Sequence, residues 1–445
     1  MKRALRIALA IVAVALLGIV FVRYNSFIDF PVYYLSGRSL IAGRTNLYAP
    51  EFSGGPLLNY RYPPFFIVVF GFLGFLPYLW AAYIWYWVCV VSIAGCIFTV
   101  RTSVKEWQGS IGIGPQGHAV WIIALLAVGQ YFVLALHAGN AHLLVVFLLF
   151  YSLHFALRRE DGWAALLMSL AITIKFFPIL MLPYFAIKQR WKLLALVGLF
   201  LIVINLLPAG YFGFRRNVEL LKDWYGEVVV IQEPREKNAQ INISLKGELR
   251  RTFTHVDYST RGRGTESTDT DYPSVNIASV PQVTSDRVWI ALSAALGLMA
   301  CVVIWKASGS FSRTDHVTMN GSTVRRKQDS TQLRLKEPIE YSLIICLILI
   351  VGPFTAKMYF MILLWPVTFL ASFAMKRTDP VARISKYVLL FIAAANVVLP
   401  LIPGRDLQRW LLVIGTDFYL TVLLMLALIL TLVSGQSDHP AQVWQ

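Results

Sequence analysis

Apolar runs of roughly 18 residues or more recur along the chain, separated by short polar and basic turns, and that pattern predicts a polytopic helical membrane protein. The clearest runs are 4–22, 119–136, 140–157, 193–209, 287–305, 339–352, 356–375, 387–402 and 411–433. Lys and Arg placement orients them. The first run, preceded by Lys2, Arg3 and Arg6 and lacking a small-residue cleavage site, reads as an uncleaved helix with its N-terminus in the cytoplasm. Asp29 then lies on the outer side. The stretch 65–100 is long enough for two helices, with a break at Leu76-Pro77-Tyr78. One full span at about 83–100, preceded by a re-entrant or interfacial helix at 65–79, keeps Arg101, Lys105, Arg158 and Arg159 inside. The segment 163–187 carries Lys175-Phe176-Phe177-Pro178 in its middle and reads as a helix pair broken near the outer face. The sum is an all-α bundle of about 12 transmembrane helices with a long first outer loop.

Three regions follow. Residues 1–209 form an N-terminal membrane module that holds the loop 23–64; 210–285 form a long extracytoplasmic loop; 286–445 hold the C-terminal helices and a basic cytoplasmic linker, 307–338. The part of the long loop from Thr252 to Ser285 is rich in Ser, Thr, Asp and Gly and reads as mobile.

Composition narrows the class. The chain has 445 residues, 57% hydrophobic and 14% charged, with a net charge of +16. The basic residues cluster in short loops between apolar runs, so the charge reports membrane orientation rather than nucleic acid. Cys89, Cys96, Cys301 and Cys346 all lie inside apolar runs without a CxxC pair, so neither a metal site nor a disulfide framework is implied and buried thiols are predicted.

Under this topology the chemistry-bearing groups gather on the outer side: Asp29, Arg61, His137, Asn140, His142, Lys175, the stretch Asn238–Arg251 and Lys357. Asp29 is the only acid of the first outer loop before Glu51 and is the candidate general base; the alternative is a helix cap or a solvated loop acid. Lys175 and Lys357 lie within apolar runs, where an ammonium either meets an anion such as a lipid phosphate or snorkels to the interface. Asn242, Ser244 and Arg250, with Arg251, suit sugar hydroxyls or phosphate, or else form a solvated amphipathic helix. His137 and His142 lack the further ligands a metal site needs and read as wall residues. The aromatic set Trp80, Tyr83, Trp85, Tyr86 and Trp87 reads as an interfacial belt.

The stretch DFPVYYLSGRSLIAGRTNLY followed by YRYPPFF resembles the opening signature of glycosyltransferase family 87, through Asp29, Phe30, Val32, Tyr33, Tyr34, Gly43, Leu47, Tyr48, Tyr60, Tyr62, Pro63 and Pro64. Gly139-Asn140 is similar to the family's Gly-Gln-x-Asn turn with the Gln missing, Lys175 and Pro178 to its Lys-x-x-Pro break, and NISLKGELRR to its Asn-x-Ser-Leu-x-Gly stretch. Lys357 and Tyr359 stand where family members often carry His pairs. The resemblance implies a GT-C-like membrane glycosyltransferase using a polyprenyl-phosphate sugar, typically mannose, and a lipid or glycan acceptor. It implies inversion, with Asp29 as base, Lys175, Arg250 and Lys357 on the donor phosphate, and Tyr33, Tyr34, Arg61, Tyr62, His137, Asn140, His142, Asn242, Ser244 and Tyr359 lining the substrates. No cofactor is called for, no ligand set for a divalent metal is visible, and there is no strand–GxGxxG–helix unit. The competing readings are an arabinofuranosyltransferase or glycan ligase of related type, a flippase of lipid-linked saccharides, and a non-enzymatic assembly factor. A transporter built from inverted repeats is weakened because no internal repeat is seen.

Overall fold

The computed structural model describes residues 15–25, 27–54, 60–110, 118–226, 241–254, 273–309, 318–319, 322–323, 329–375 and 377–434. Apart from a two-residue antiparallel pairing of Thr318–Met319 with Ser322–Thr323, its regular structure is helical. The start of the first expected span and residues 255–272, the body of the segment expected to be mobile, lie outside the described residues.

Among the described residues, seven helical segments are long and apolar enough to cross a membrane by length and composition. They contain α4 (Tyr78–Ser110), α5 (His118–Ala138), α9 (Trp191–Leu206, continued by α10, Ala209–Phe212), α13 (Gln282–Gly309), α15 (Leu364–Ala374, preceded by a 3-10 turn, Lys357–Leu363), α16 (Pro380–Leu401) and α18 (Thr416–Ser434). Five shorter apolar helical segments complete the apolar set: α1 (Ala15–Tyr24), α3 (Pro64–Phe70, extended by a 3-10 turn to Phe75), α6 (His142–Leu157), α7 (Asp161–Ile174) and the segment Phe177–Ile187 containing α8 (Leu182–Ile187). With these five, the apolar helical segments among the described residues number twelve, α6 and α7 being 16 and 14 residues long. The helix α14 (Asp329–Val351) begins inside the expected linker.

α6 packs between α4 and α7, α7 against α9, α5 against α16, and α14 against α18. Every residue of α15 is buried, which makes it the central helix of this half. Cys89, Cys96 and Cys346 are buried free thiols; Cys301 is partly exposed.

The loop 23–64, expected on the outer side, is not irregular. Pro31 opens α2 (Phe30–Ile41), and Phe30, Tyr33, Tyr34, Gly37 and Leu40 recur at helical spacing on its buried face. That face lies on the 3-10 turn Gly71–Phe75. An added Cβ at Gly74 would stand 2.5 Å from the amide nitrogen of Arg38, and one at Gly37 2.6 Å from the carbonyl of Gly71. Tyr34 donates to the carbonyl of Leu76 at 3.0 Å, just before Pro77 breaks the chain into α4. Residues 64–75 are thus a short helix and a 3-10 turn folded under α2.

Two polar ends result. At one, Arg159 pairs with Glu337 at 2.6 Å, and Lys188 (2.7 Å) and the Tyr184 hydroxyl (2.8 Å) both reach Glu340. These pairs let α14 carry two acids in an otherwise buried stretch. The opposite end of α6 and α7 carries the Asn140 turn and Lys175.

The close approach of α2 to the 71–75 turn gives a first prediction. Gly74→Ala destabilises the protein by about 1–3 kcal/mol through overpacking, seen as a lowered unfolding midpoint in detergent; Gly198→Ala, where open space surrounds the added Cβ, serves as the control.

Candidate active site

α5 ends at Ala138 because Gly139 takes up a left-handed conformation (φ +62°), open to glycine at little cost. A Cβ there would strike the Phe27 ring at 2.6 Å. The turn is anchored from two sides: the Trp85 indole donates to the carbonyl of Gly139 at 2.7 Å, and the backbone N–H of Asp29 donates to Ala138 at 2.9 Å. The head of α2 and the α5–α6 turn are therefore fixed to each other by main-chain contact.

Asn140, 5% exposed, occupies the centre. Its Nδ2 donates to the Asp29 carboxylate, and its Oδ1 accepts from the Lys175 ammonium at 3.0 Å and from the His142 backbone at 2.7 Å. Lys175 is in place because α7 stops at Ile174: Pro178 has no N–H to give the Ile174 carbonyl, and Lys175 turns extended. Its ammonium lies 3.4 Å from the Tyr359 hydroxyl and 4.7 Å from that ring's centroid. The His142 ring is stacked between Tyr359 (4.1 Å) and Phe177 (4.7 Å), and its two nitrogens have no hydrogen-bond partner in the protein. Asp29 is partly exposed, with no cap bond to its own helix, so its carboxylate is turned to Asn140 rather than to α2. Burial pushes this carboxyl above the usual carboxylate range, against the opposing pull of the Lys175 ammonium and the Asn140 amide.

Tyr33 backs the acid. Its hydroxyl lies 2.8 Å from that of Tyr62 and accepts from the Ala141 N–H at 3.2 Å. Tyr62 stacks on Phe66 at 4.3 Å, and its carbonyl receives the Tyr48 hydroxyl. Arg61 is partly buried, and its carbonyl receives the Trp224 indole from α11 (Phe214–Trp224). Tyr34 is committed to Leu76, and the His137 side chain is exposed on the rim.

The remaining predicted groups form a second cluster. Lys357 stands 3.8 Å from Asp417, whose other oxygen accepts from Tyr131 at 2.7 Å. Tyr131 also meets Asn396, as does Gln130. Arg250 is spent on a two-pronged pair with Asp286, at 2.8 Å to each oxygen. Asn242 bonds backbone around Thr355, and Ser244 caps α12 (Leu245–Phe253). Asp417, Asn396 and Tyr131 escape the sequence reading; an acid and an amide within the apolar runs 411–433 and 387–402 are the signal that finds them. Among the described residues no three or more His, Cys, Asp and Glu side chains come together to hold a metal.

A multi-pass helical bundle with an acid and a lysine joined through one amide is a membrane protein with a polar cluster at one end. The profile of glycosyltransferase family 87 matches residues 60–324, more than half of the 445, and the chain belongs to that family. It is a membrane glycosyltransferase. Asp29 precedes the matched stretch and Lys357 follows it. Among solved structures, the chain is similar to ArnT from Cupriavidus metallidurans in the apo state, at 15% identity and a TM-score of 0.38, covering 98% of this chain and 78% of that one. No curated protein matches the chain.

The pull of Lys175 on Asp29 sets a pH prediction. A base works ionised, so with Asp29 in that role activity would rise with pH through its pKa. Lys175→Met removes a charge that lowers that pKa, and the acidic limb of the activity–pH profile moves to higher pH. An unmoved limb separates the ammonium from the base.

Proposed function

We propose that this enzyme transfers a sugar, mannose first among the candidates, from a polyprenyl-phosphate donor to a hydroxyl of a lipid or glycan acceptor, on the extracytoplasmic face of the cell membrane and with inversion. Asp29 takes the proton of the acceptor hydroxyl. That oxygen attacks the anomeric carbon, the bond from this carbon to the phosphate oxygen breaks, and polyprenyl phosphate leaves with the electron pair. Charge grows on the departing phosphate, so nearby cations help most in the transition state. Lys175 and Lys357 are assigned there. Arg250, held by Asp286, is assigned to the frame instead. Arg61, Tyr62, His142 and Tyr359 form the wall around the reacting sugar, and no cofactor takes part.

One observation carries the reading: the Asn140 amide joins a partly exposed carboxylate to an ammonium, so a base and an anion-binding group stand side by side. Family membership supports glycosyl transfer. The flippase alternative is disfavoured because the sequence shows no internal repeat, while Asp29, Asn140 and Lys175 come together at one end of α6 and α7.

The test is transfer of labelled sugar from polyprenyl-phosphate-mannose to membrane acceptors. Asp29→Asn cuts turnover by at least about 100-fold while the protein expresses and melts as wild type. Transfer that survives in Asp29→Asn removes it as base. Label moving only from polyprenyl-phosphate-arabinofuranose replaces the sugar and keeps the chemistry.

A further inference from the structure

The stretch Asn242–Arg251 resembles a substrate-binding segment, yet its polar groups face protein. Asn242 is 6% exposed. Its Oδ1 accepts from the backbone N–H groups of Thr355 (3.0 Å) and Ser244 (3.2 Å), and its Nδ2 donates to the carbonyl of Pro353 (3.0 Å). The N–H of Ile243 donates to the Thr355 carbonyl at 2.7 Å. Three bonds thus tie residues 242–243 to 353–355, and Lys357 follows two residues later. The tie is reinforced from behind. The Arg251 guanidinium, 1% exposed, donates to the Asn242 carbonyl, pairs with Glu248 and donates to the Val413 carbonyl at 2.8 Å. Val413 leads into Gly415 and Asp417, the acid that faces Lys357. Gly247 lies so close to the Asn242 carbonyl that a Cβ does not fit.

We infer that Asn242 is a positioning residue that acts through Lys357: its amide fixes the strand of chain from Pro353 to Thr355, and that segment aims the Lys357 ammonium at the donor phosphate. The inference rests on the reading of Lys357 as a phosphate-binding group. The physical reason is backbone rigidity. Leu349–Val351 closes α14 and the 3-10 turn opens at Lys357, so the intervening residues have no ladder of their own. Their N–H and C=O groups need outside partners, and one buried amide supplies two of them. A lysine carried on an untied segment loses its orientation before it loses its charge.

The experiment measures donor KM, acceptor KM and kcat for wild type, Asn242→Ala, Lys357→Met and the double variant in detergent. Asn242→Ala raises donor KM about tenfold, lowers kcat no further than Lys357→Met does, leaves acceptor KM within about twofold, and adds nothing to donor KM in the Lys357→Met background. A further rise in the double variant means that Asn242 touches the donor itself and overturns the inference. An unchanged donor KM in Asn242→Ala, with Lys357→Met impaired, overturns it while leaving the role of Lys357 intact. An unchanged donor KM in Lys357→Met overturns both. Should Asn242→Ala fail to fold, Arg251→Lys carries the same test, since it keeps the charge but cannot span Asn242, Glu248 and Val413 together. If no sugar donor tried is transferred, binding of polyprenyl phosphate alone to the purified variants replaces donor KM, with the same outcomes.

Discussion

One carboxamide holds the site together. A carboxylate and an ammonium at the edge of an apolar bundle each need a partner, and a direct pair would leave both occupied with each other. Asn140 answers both at once, giving its N–H to Asp29 and its oxygen to Lys175. An amide suits this because it donates at one end and accepts at the other without carrying charge. The geometry depends on what is upstream: glycine at 139 to turn the chain, Trp85 to clamp that turn, and the Asp29 amide bonded to Ala138. The acid, the amide and the lysine come from three places in the sequence, and main-chain contacts bring the first two together.

The broken helices have the same origin. α7 stops at Lys175 and α6 starts at His142, so both leave irregular backbone at one end of the bundle. Backbone of that kind is tolerated in a membrane protein only where protein or a wet cavity satisfies it. Here the partners are side chains of the site: Asn140 Oδ1 takes the His142 N–H, and the Tyr33 hydroxyl takes that of Ala141. Asn140 and Lys175 thus sit at the ends of two of the shorter segments, while the long helices α13 and α9 leave much of their surface outside the bundle.

Much of this was legible in the chain. The helix break at Lys175–Pro178, the short piece before Pro77 and the turn at Gly139-Asn140 are local events, set by proline, glycine and charge, and local events show in a sequence. The helix Phe30–Ile41 was equally available: Phe30, Tyr33, Tyr34, Gly37 and Leu40 follow the helical period, but aromatic and glycine content reads as loop when the period is not tested. What the chain could not show is pairing across distance. Arg250 has the charge and placement of a phosphate ligand, and only the fold brings Asp286 to it from 36 residues away. Glu337 looks like a linker residue, and Glu340 like a stray acid in the apolar run 339–352, until Arg159 and Lys188 arrive. Asp417 meets Tyr131 across 286 residues.

These pairings divide the cations of the site. Lys175 is bonded to the amide that holds Asp29, so a change at Lys175 is felt by that carboxyl as a change in proton affinity. Lys357 belongs to another network, with Asp417, Tyr131 and Asn396, and is framed by the outer-loop helix through Thr355. Under the proposed chemistry the two lysines then differ in kind. The first couples charge on the leaving phosphate to the readiness of the base, because both act on one amide. The second meets phosphate without touching the base. An enzyme that must gather negative charge beside its own carboxylate gains from that separation: one cation near the acid keeps it ionised, and another, held by its own buried acid, binds the donor without drawing the base out of place.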